Sequence, residues 1–266
     1  MYTQGGAYMS GHHITLPKSS LLRFSKSGKF YYLDVKNNIV KQAFARTYNK
    51  VDDYYPNEIE KFLSDEIETV MGRLYKKLDS FVSNKDYFIY YPEIKEDIIR
   101  IVAIQRLRIK DTQRLIKSKS LYTQFFYLPD EYYSPLHRVD TELLQQSITL
   151  YNDLLVDYEV NFCIVDSNFC SSTFLLPTSH CLCFGNIIFI ILSPKYAFVL
   201  HPKELKHDLL KNQYICNNIF ISPYFVIDNV LVFKQLHEKY IEAEKSYDNG
   251  ILIGQKHQLQ EIQKRL

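Results

Sequence analysis

The chain has 266 residues, 46% of them hydrophobic and 23% charged, enough to bury one large core or two smaller ones and too apolar for a disordered segment. Its net charge of +2 excludes bulk attraction to nucleic acid or an anionic membrane, so binding of that kind has to come from a local patch. The longest apolar stretch, within Cys181 to Leu192, is far too short for the roughly 20 residues of a membrane-spanning helix.

Residues 1–11 are polar, carry no apolar leader and read as a flexible start. His12-His13-Ile14-Thr15-Leu16-Pro17 then leads into Leu21-Leu22-Arg23-Phe24, an unusual placing of two titratable side chains before a proline-marked apolar segment. Gly28 precedes two β-like runs, Phe30 to Val35 and Ile39 to Tyr48, joined through Lys36-Asn37-Asn38; this is the pattern of a hairpin. The period then changes. Ile59, Phe62, Leu63, Ile67, Val70, Met71, Leu74, Leu78 and Phe81 recur in steps of three and four, which predicts an amphipathic helix, with Asn57 and Glu60 as a capping box at its start.

A second helix is predicted from Pro92 to about Ser118. Its inward stripe runs Ile94, Ile98, Ile101 and then Gln105, Arg108, Thr112 and Leu115, so the face turns polar in its second half. A third covers about Asp140 to Asp157. From Tyr158 the pattern is β-like: Val160 to Val165, Thr173 to Leu176, Cys183 to Leu192 and Tyr196 to His201, with a turn at Ser193-Pro194-Lys195. A short helix after Pro202, a longer one from about Asp228 to Ser246 and a small helix near Gln255 to Arg265 complete the chain. The expected fold is one α+β domain over residues 1–266, with an N-terminal β-hairpin, central helices and a C-terminal, mostly antiparallel sheet flanked by helices.

Five groupings carry chemistry. His12 and His13 suit acid–base work or metal ligation, since imidazole titrates near neutral pH; the plainer reading is one buried and one exposed histidine. Gln105 and Arg108 share a helical face marked as inward, where a guanidinium needs a carboxylate, with Asp34 the candidate, or a bound anion. Pro177-Thr178-Ser179-His180 joins two strands and offers a serine and a histidine, or a plain turn. His180-Cys181-x-Cys183 has soft ligands but lacks the second pair of a structural zinc site. Arg100, Arg106, Lys110, Arg114, Lys117 and Lys119 form a basic run that suits phosphate or simply a solvated helix face. No P-loop, dinucleotide fingerprint or R-x-x-x-x-H is present, and no D…E-x-K match is specific enough to mark a nuclease.

Three of these segments in order resemble the bacterial and fungal family catalogued as domain of unknown function 4238. The matching residues are His12, His13, Pro17, Leu22, Arg23 and Phe24 followed by Phe30 to Asp34; Gln105 and Arg108 with a displaced Thr112; and Thr178, Ser179 and His180 before Leu192-Ser193-Pro194 and Tyr196 to Leu200. The chain departs from the pattern in one extra residue before Pro17, in His180 where the family has Asp, and in the absence of the proline that follows. If that Asp is catalytic in relatives, this chain is inactive or uses His180. The family has no assigned activity to transfer, and its likeness to cargo of defence-associated loci favours a nucleic-acid-directed effector.

The expectation is therefore a cytoplasmic effector of defence or toxin type with reduced thiols, a phosphodiester-directed hydrolase or nucleotide-modifying enzyme. Its site would gather His12 and His13 as acid, base or metal ligands, Arg108 as phosphate clamp, Gln105 to orient them, and Ser179 and His180 on the closing loop. A divalent metal is the candidate cofactor, and nucleic acid, a nucleotide or a protein the candidate partners. The alternative is a non-catalytic sensor or protein-binding module. Its recognition surface would use the tyrosines, 22 in all beside 17 Phe and no Trp, although codon usage in an AT-rich genome also explains that composition.

Overall fold

The computed structural model describes residues 12–13, 16–48, 50–51, 61, 64–84, 91–107, 151–165, 172–178, 180–184, 187–203, 224–227, 230–245 and 250–266. Its centre is a five-stranded sheet of β10 (Tyr224–Ile227), β5 (Tyr158–Val165), β9 (Tyr196–Pro202), β8 (Ile187–Ile191) and β7 (Cys181–Phe184), in that order. Only the β10–β5 pair is parallel; the other three pairs are antiparallel. The fold is α+β.

Period-two alternation divides the central sheet between two apolar layers. Phe162, Ile164, Ile188, Ile190, Tyr196, Phe198 and Leu200 face the helices α2 (Thr69–Asn84) and α3 (Tyr91–Leu107) and the helical residues 151–157. Cys163, Val165, Phe189, Ile191, Ala197 and Val199 face a second sheet and the helices around it. With apolar residues on both sides, β8 and β9 read as continuous hydrophobic runs, and each fully buried aliphatic or aromatic side chain contributes roughly 1.5–3 kcal/mol.

The second sheet has the order β3 (Ile39–Phe44), β2 (Lys29–Asp34), β11 (Ile251–Gly254), β6 (Leu176–Pro177), all antiparallel. The predicted N-terminal hairpin is β2–β3. Asp34 closes its turn by accepting from the Asn37 backbone and side-chain N–H, and Asn38 takes a left-handed φ of 53°, which asparagine tolerates. The hairpin does not stand alone. The C-terminal strand β11, unforeseen from the sequence, lies between β2 and β6 and joins both ends of the chain. Outside it, α5 (Lys256–Gln263) is fastened to the hairpin by paired Asn38–Gln263 amide–carbonyl bonds of 3.3 and 2.7 Å.

Other expectations need correcting. Cys183 to Leu192 is a pair of strands, β7 and β8, and the turn-type residues Gly185 and Asn186 lie between them. Of Thr173 to Leu176, only Leu176 pairs, together with Pro177, at the sheet edge, where a residue without an N–H fits. The first long helix is preceded by a widened π-helical turn at Ser64–Glu68, and α1 (Lys18–Arg23) is a helix of its own after Pro17. The predicted helix from Asp228 is α4 (Val230–Lys245). Leu115, the second half of the Pro92–Ser118 helix and most of the Asp140–Asp157 helix lie outside the described residues.

Candidate functional site

Helix α1 is short, and its packing is set by Leu21, which is buried, with Leu16 and Phe24 at either end. Ser20 and Arg23, three apart, share a helical face that turns towards α2 and β9. Arg23 forms a two-point ion pair with Asp79 of α2, Nη1 to Oδ2 at 2.6 Å and Nη2 to Oδ1, and Nη2 also donates to the Tyr196 hydroxyl at 2.7 Å. That hydroxyl in turn donates to Asp79 at 3.0 Å, and the guanidinium lies 4.9 Å from the Tyr75 ring centroid. Burial alone would lower the Arg23 pKa, but the hydrogen bond and charge of Asp79 outweigh it, so the guanidinium is held more firmly protonated. Burial likewise opposes ionisation of Asp79, and the Arg23 hydrogen bond overcomes it, leaving that carboxyl below its usual range.

One turn earlier, Ser20 Oγ lies 2.9 Å from His180 Nε2 and 3.3 Å from the Tyr75 hydroxyl. His180 sits at φ 62°, an uncommon conformation for a non-glycine residue. Its N–H donates to Pro177 O and its carbonyl accepts from Ile191 N–H, so the turn aims the imidazole inward. A serine hydroxyl at hydrogen-bond distance from an imidazole is the pairing of a nucleophile and its base. Here Ser20 and His180 are each 0% exposed. No substrate atom reaches them in this conformation, and the contact is a buried polar link between α1 and the β6–β7 turn.

Thr178 in the same turn meets Glu244, near the end of α4. The carboxylate accepts from the Thr178 hydroxyl at 2.5 Å, the Thr178 backbone at 3.2 Å and the Ile251 N–H at 3.0 Å. Burial raises the Glu244 pKa to about 8 against those three stabilising bonds. Its contacts join α4, β6 and β11.

Arg23 also lines an open concavity. A cleft of about 500 Å³ is walled by the Arg23–Tyr31 segment, Gln42 of β3, Thr173 and Pro194, and the Gly254–Lys256 junction of β11 with α5. Arg23, Lys26, Lys29 and Lys256 line it, and its lining holds no Asp or Glu among the described residues. Lys26 and Lys29 flank a two-residue turn in which Ser27 and Gly28 have φ of 53° and 77°, closed by Lys26–Lys29 backbone bonds in both directions. The Lys29 ammonium stands 4.9 Å from the Phe44 ring and that of Lys256 5.6 Å from Tyr31, contacts that place the cations without neutralising them.

The residues singled out from the sequence fall elsewhere. His12 and His13 form the two-residue strand β1, paired antiparallel with β4 (Lys50–Val51), and their side chains lie outside the description. Gln105 is buried on α3 as the inward stripe predicted, and its amide makes no hydrogen bond among the described residues. Arg108 and Ser179 lie outside the described residues, as do Lys110 to Lys119 of the basic run. Arg100 sits 5.8 Å from the Tyr151 ring. Asp34 serves Asn37 and Lys41, whose ammonium is 3.1 Å away. Cys163 and Cys181 are buried, and no group of three metal-ligating side chains occurs among the described residues. No described helix is long and apolar enough to cross a membrane.

No sequence motif marks the cleft lysines. Ser25-Lys26-Ser27-Gly28-Lys29 reads there only as glycine punctuation before a strand, and Lys256 belongs to the far end of the chain. Comparisons with known proteins return no matching family model, no matching curated protein and no matching solved structure.

Proposed function

We propose that the chain binds a phosphate-bearing ligand, a nucleotide or a nucleic-acid backbone, in the cleft between the Lys26–Lys29 turn and Lys256. The supporting observation is four cations on one concave wall with no carboxylate in its lining. A phosphate there meets ammonium groups that have no described acidic partner, beside a guanidinium fixed by Asp79. This reading keeps the phosphate-directed expectation of the sequence and moves its clamp from Arg108 to the lysines.

Whether phosphoryl chemistry follows binding divides two readings. In the hydrolase or nucleotide-modifying effector, His12 or His13 moves the proton. In the sensor, binding alone is the output. The sealing of His180 against Ser20 favours the sensor, because it withdraws one candidate base from solvent.

The test is binding of inorganic pyrophosphate to the full chain and to K26E/K256E, followed by assay against RNA, DNA and nucleotides. The reading expects binding that the double variant loses by roughly tenfold or more, with an unchanged fold. Undiminished binding in the double variant discards the cleft. Turnover lost in His13→Ala selects the enzyme, and binding without turnover selects the sensor.

A further inference from the structure

We infer that the cleft takes a single nucleoside di- or triphosphate and not a strand of nucleic acid, an inference that rests on the phosphate reading above. Size is the first argument. At about 500 Å³ the cleft falls inside the roughly 300–1,000 Å³ range of pockets that enclose small ligands. A strand needs a track of cations that continues along the surface, and a chain of net charge +2 offers no general field to hold one.

Charge count is the second. Asp79 neutralises Arg23 through its two-point pair, which leaves Lys26, Lys29 and Lys256 as the cleft cations with no acidic partner among the described residues. Three ammonium groups match the charge of a di- or triphosphate tail, whereas one backbone phosphodiester needs a single partner.

The third argument is the character of the wall. Tyr31 lines the cleft and is half-buried, with the Lys256 ammonium against its ring. The Tyr31 ring gives a base a stacking surface next to the phosphate site once the Lys256 ammonium turns from the ring to the phosphates, and the amide of Gln42, the cross-strand neighbour of Tyr31, offers a donor and an acceptor to a base edge. Inorganic polyphosphate would use the lysines and leave Tyr31 idle.

The experiment titrates the full chain at 0.15 M salt with ATP, GTP, CTP and UTP, with inorganic tripolyphosphate and with a 20-nucleotide single-stranded RNA. Wild type is compared with Tyr31→Leu and Lys256→Gln, each checked for an unchanged circular dichroism spectrum; should Tyr31→Leu fail that check, Tyr31→Phe against Gln42→Ala replaces it. At least one nucleotide should bind more tightly than tripolyphosphate and the RNA. Tyr31→Leu should weaken that nucleotide by roughly five- to tenfold, leaving tripolyphosphate unaffected, while Lys256→Gln weakens both. RNA binding that exceeds every nucleotide overturns the inference and leaves the phosphate reading standing. So does tripolyphosphate matching the nucleotides with no effect of Tyr31→Leu. Failure of all the anions to bind removes both.

Discussion

Arg23 of α1 holds Asp79 of α2 in a two-point ion pair, and the Tyr196 hydroxyl of β9 bonds to both partners. Three elements distant in sequence meet at one guanidinium, which also forms a wall of the cleft. Asp79 is 46% exposed, so solvent screening keeps the pair's contribution modest. Asp79→Asn should lower unfolding free energy by about 1 kcal/mol in urea titrations at pH 7. Because the folded pKa of Asp79 lies below its ordinary 3.8, this contribution is present at neutral pH and is lost as pH falls through the acid range below about 4. The difference between wild type and Asp79→Asn should therefore vanish in acid; a constant difference from pH 7 to pH 2 would assign it to packing instead.

Glu244 works in the opposite direction. Its folded pKa is raised to about 8 from 4.5, so the folded state holds a proton that the unfolded chain releases. Its stabilisation is complete below 4.5 and declines as pH rises towards 8. His237, lowered by burial to about 4 from 6.5, stabilises above 6.5 and loses that contribution as pH falls. The two slopes oppose each other below 6.5, so the Glu244 slope emerges above it. Unfolding free energy should fall by about 1 kcal/mol per pH unit between 6.5 and 8. Glu244→Gln, measured by denaturant titration, should flatten that window. An equal slope in the variant would mean that another group titrates.

Gly250 lets β11 leave α4. A Cβ built there would stand 2.0 Å from the Glu244 carbonyl oxygen, a backbone atom with no side-chain freedom to withdraw. Gly250→Ala should cost about 1–3 kcal/mol and loosen the β2–β11 pairing, seen as faster amide exchange at Ile251 and Leu252. Gly254→Ala meets the tip of the Leu175 side chain, which can rotate, and should cost less. Equal costs would show that the backbone approach at Gly250 is not the constraint.

Sealing of the Ser20–His180 contact predicts its chemistry. A fluorophosphonate probe should leave Ser20 unlabelled in the native protein, and Ser20→Ala should cost about 1 kcal/mol. Pyrophosphate affinity should not change. Stoichiometric labelling of Ser20 would instead establish an accessible nucleophile.

What could be read from the sequence was local. The hairpin was legible because Asn37-Asn38 separates two β-like runs, and α2 because its apolar residues keep helical spacing to Leu78. β8 and β9 were legible as apolar runs around Ser193-Pro194. β11 is four residues, too short to assert a period, and only its insertion beside β2 makes it a strand. β10 depends on a parallel partner about 60 residues earlier, a pairing that no local pattern signals. The cleft was hidden for the same reason: Lys29 and Lys256 come from opposite ends of the chain and meet only because β2 and β11 are neighbours. His180 is legible as a candidate, but its partner Ser20 is 160 residues away, and burial, which decides the contact's role, is a tertiary property.

The central claim is that phosphate is held between the Lys26–Lys29 turn and Lys256, and amide chemical shifts recorded during titration with inorganic pyrophosphate test it most directly. The account predicts saturable shifts concentrated at Lys26 to Lys29 and at Gln255 and Lys256, lost in K26E/K256E. Shifts centred on other lysines, such as Lys76, Lys77 and Lys239, or no saturable shift at all, would contradict it.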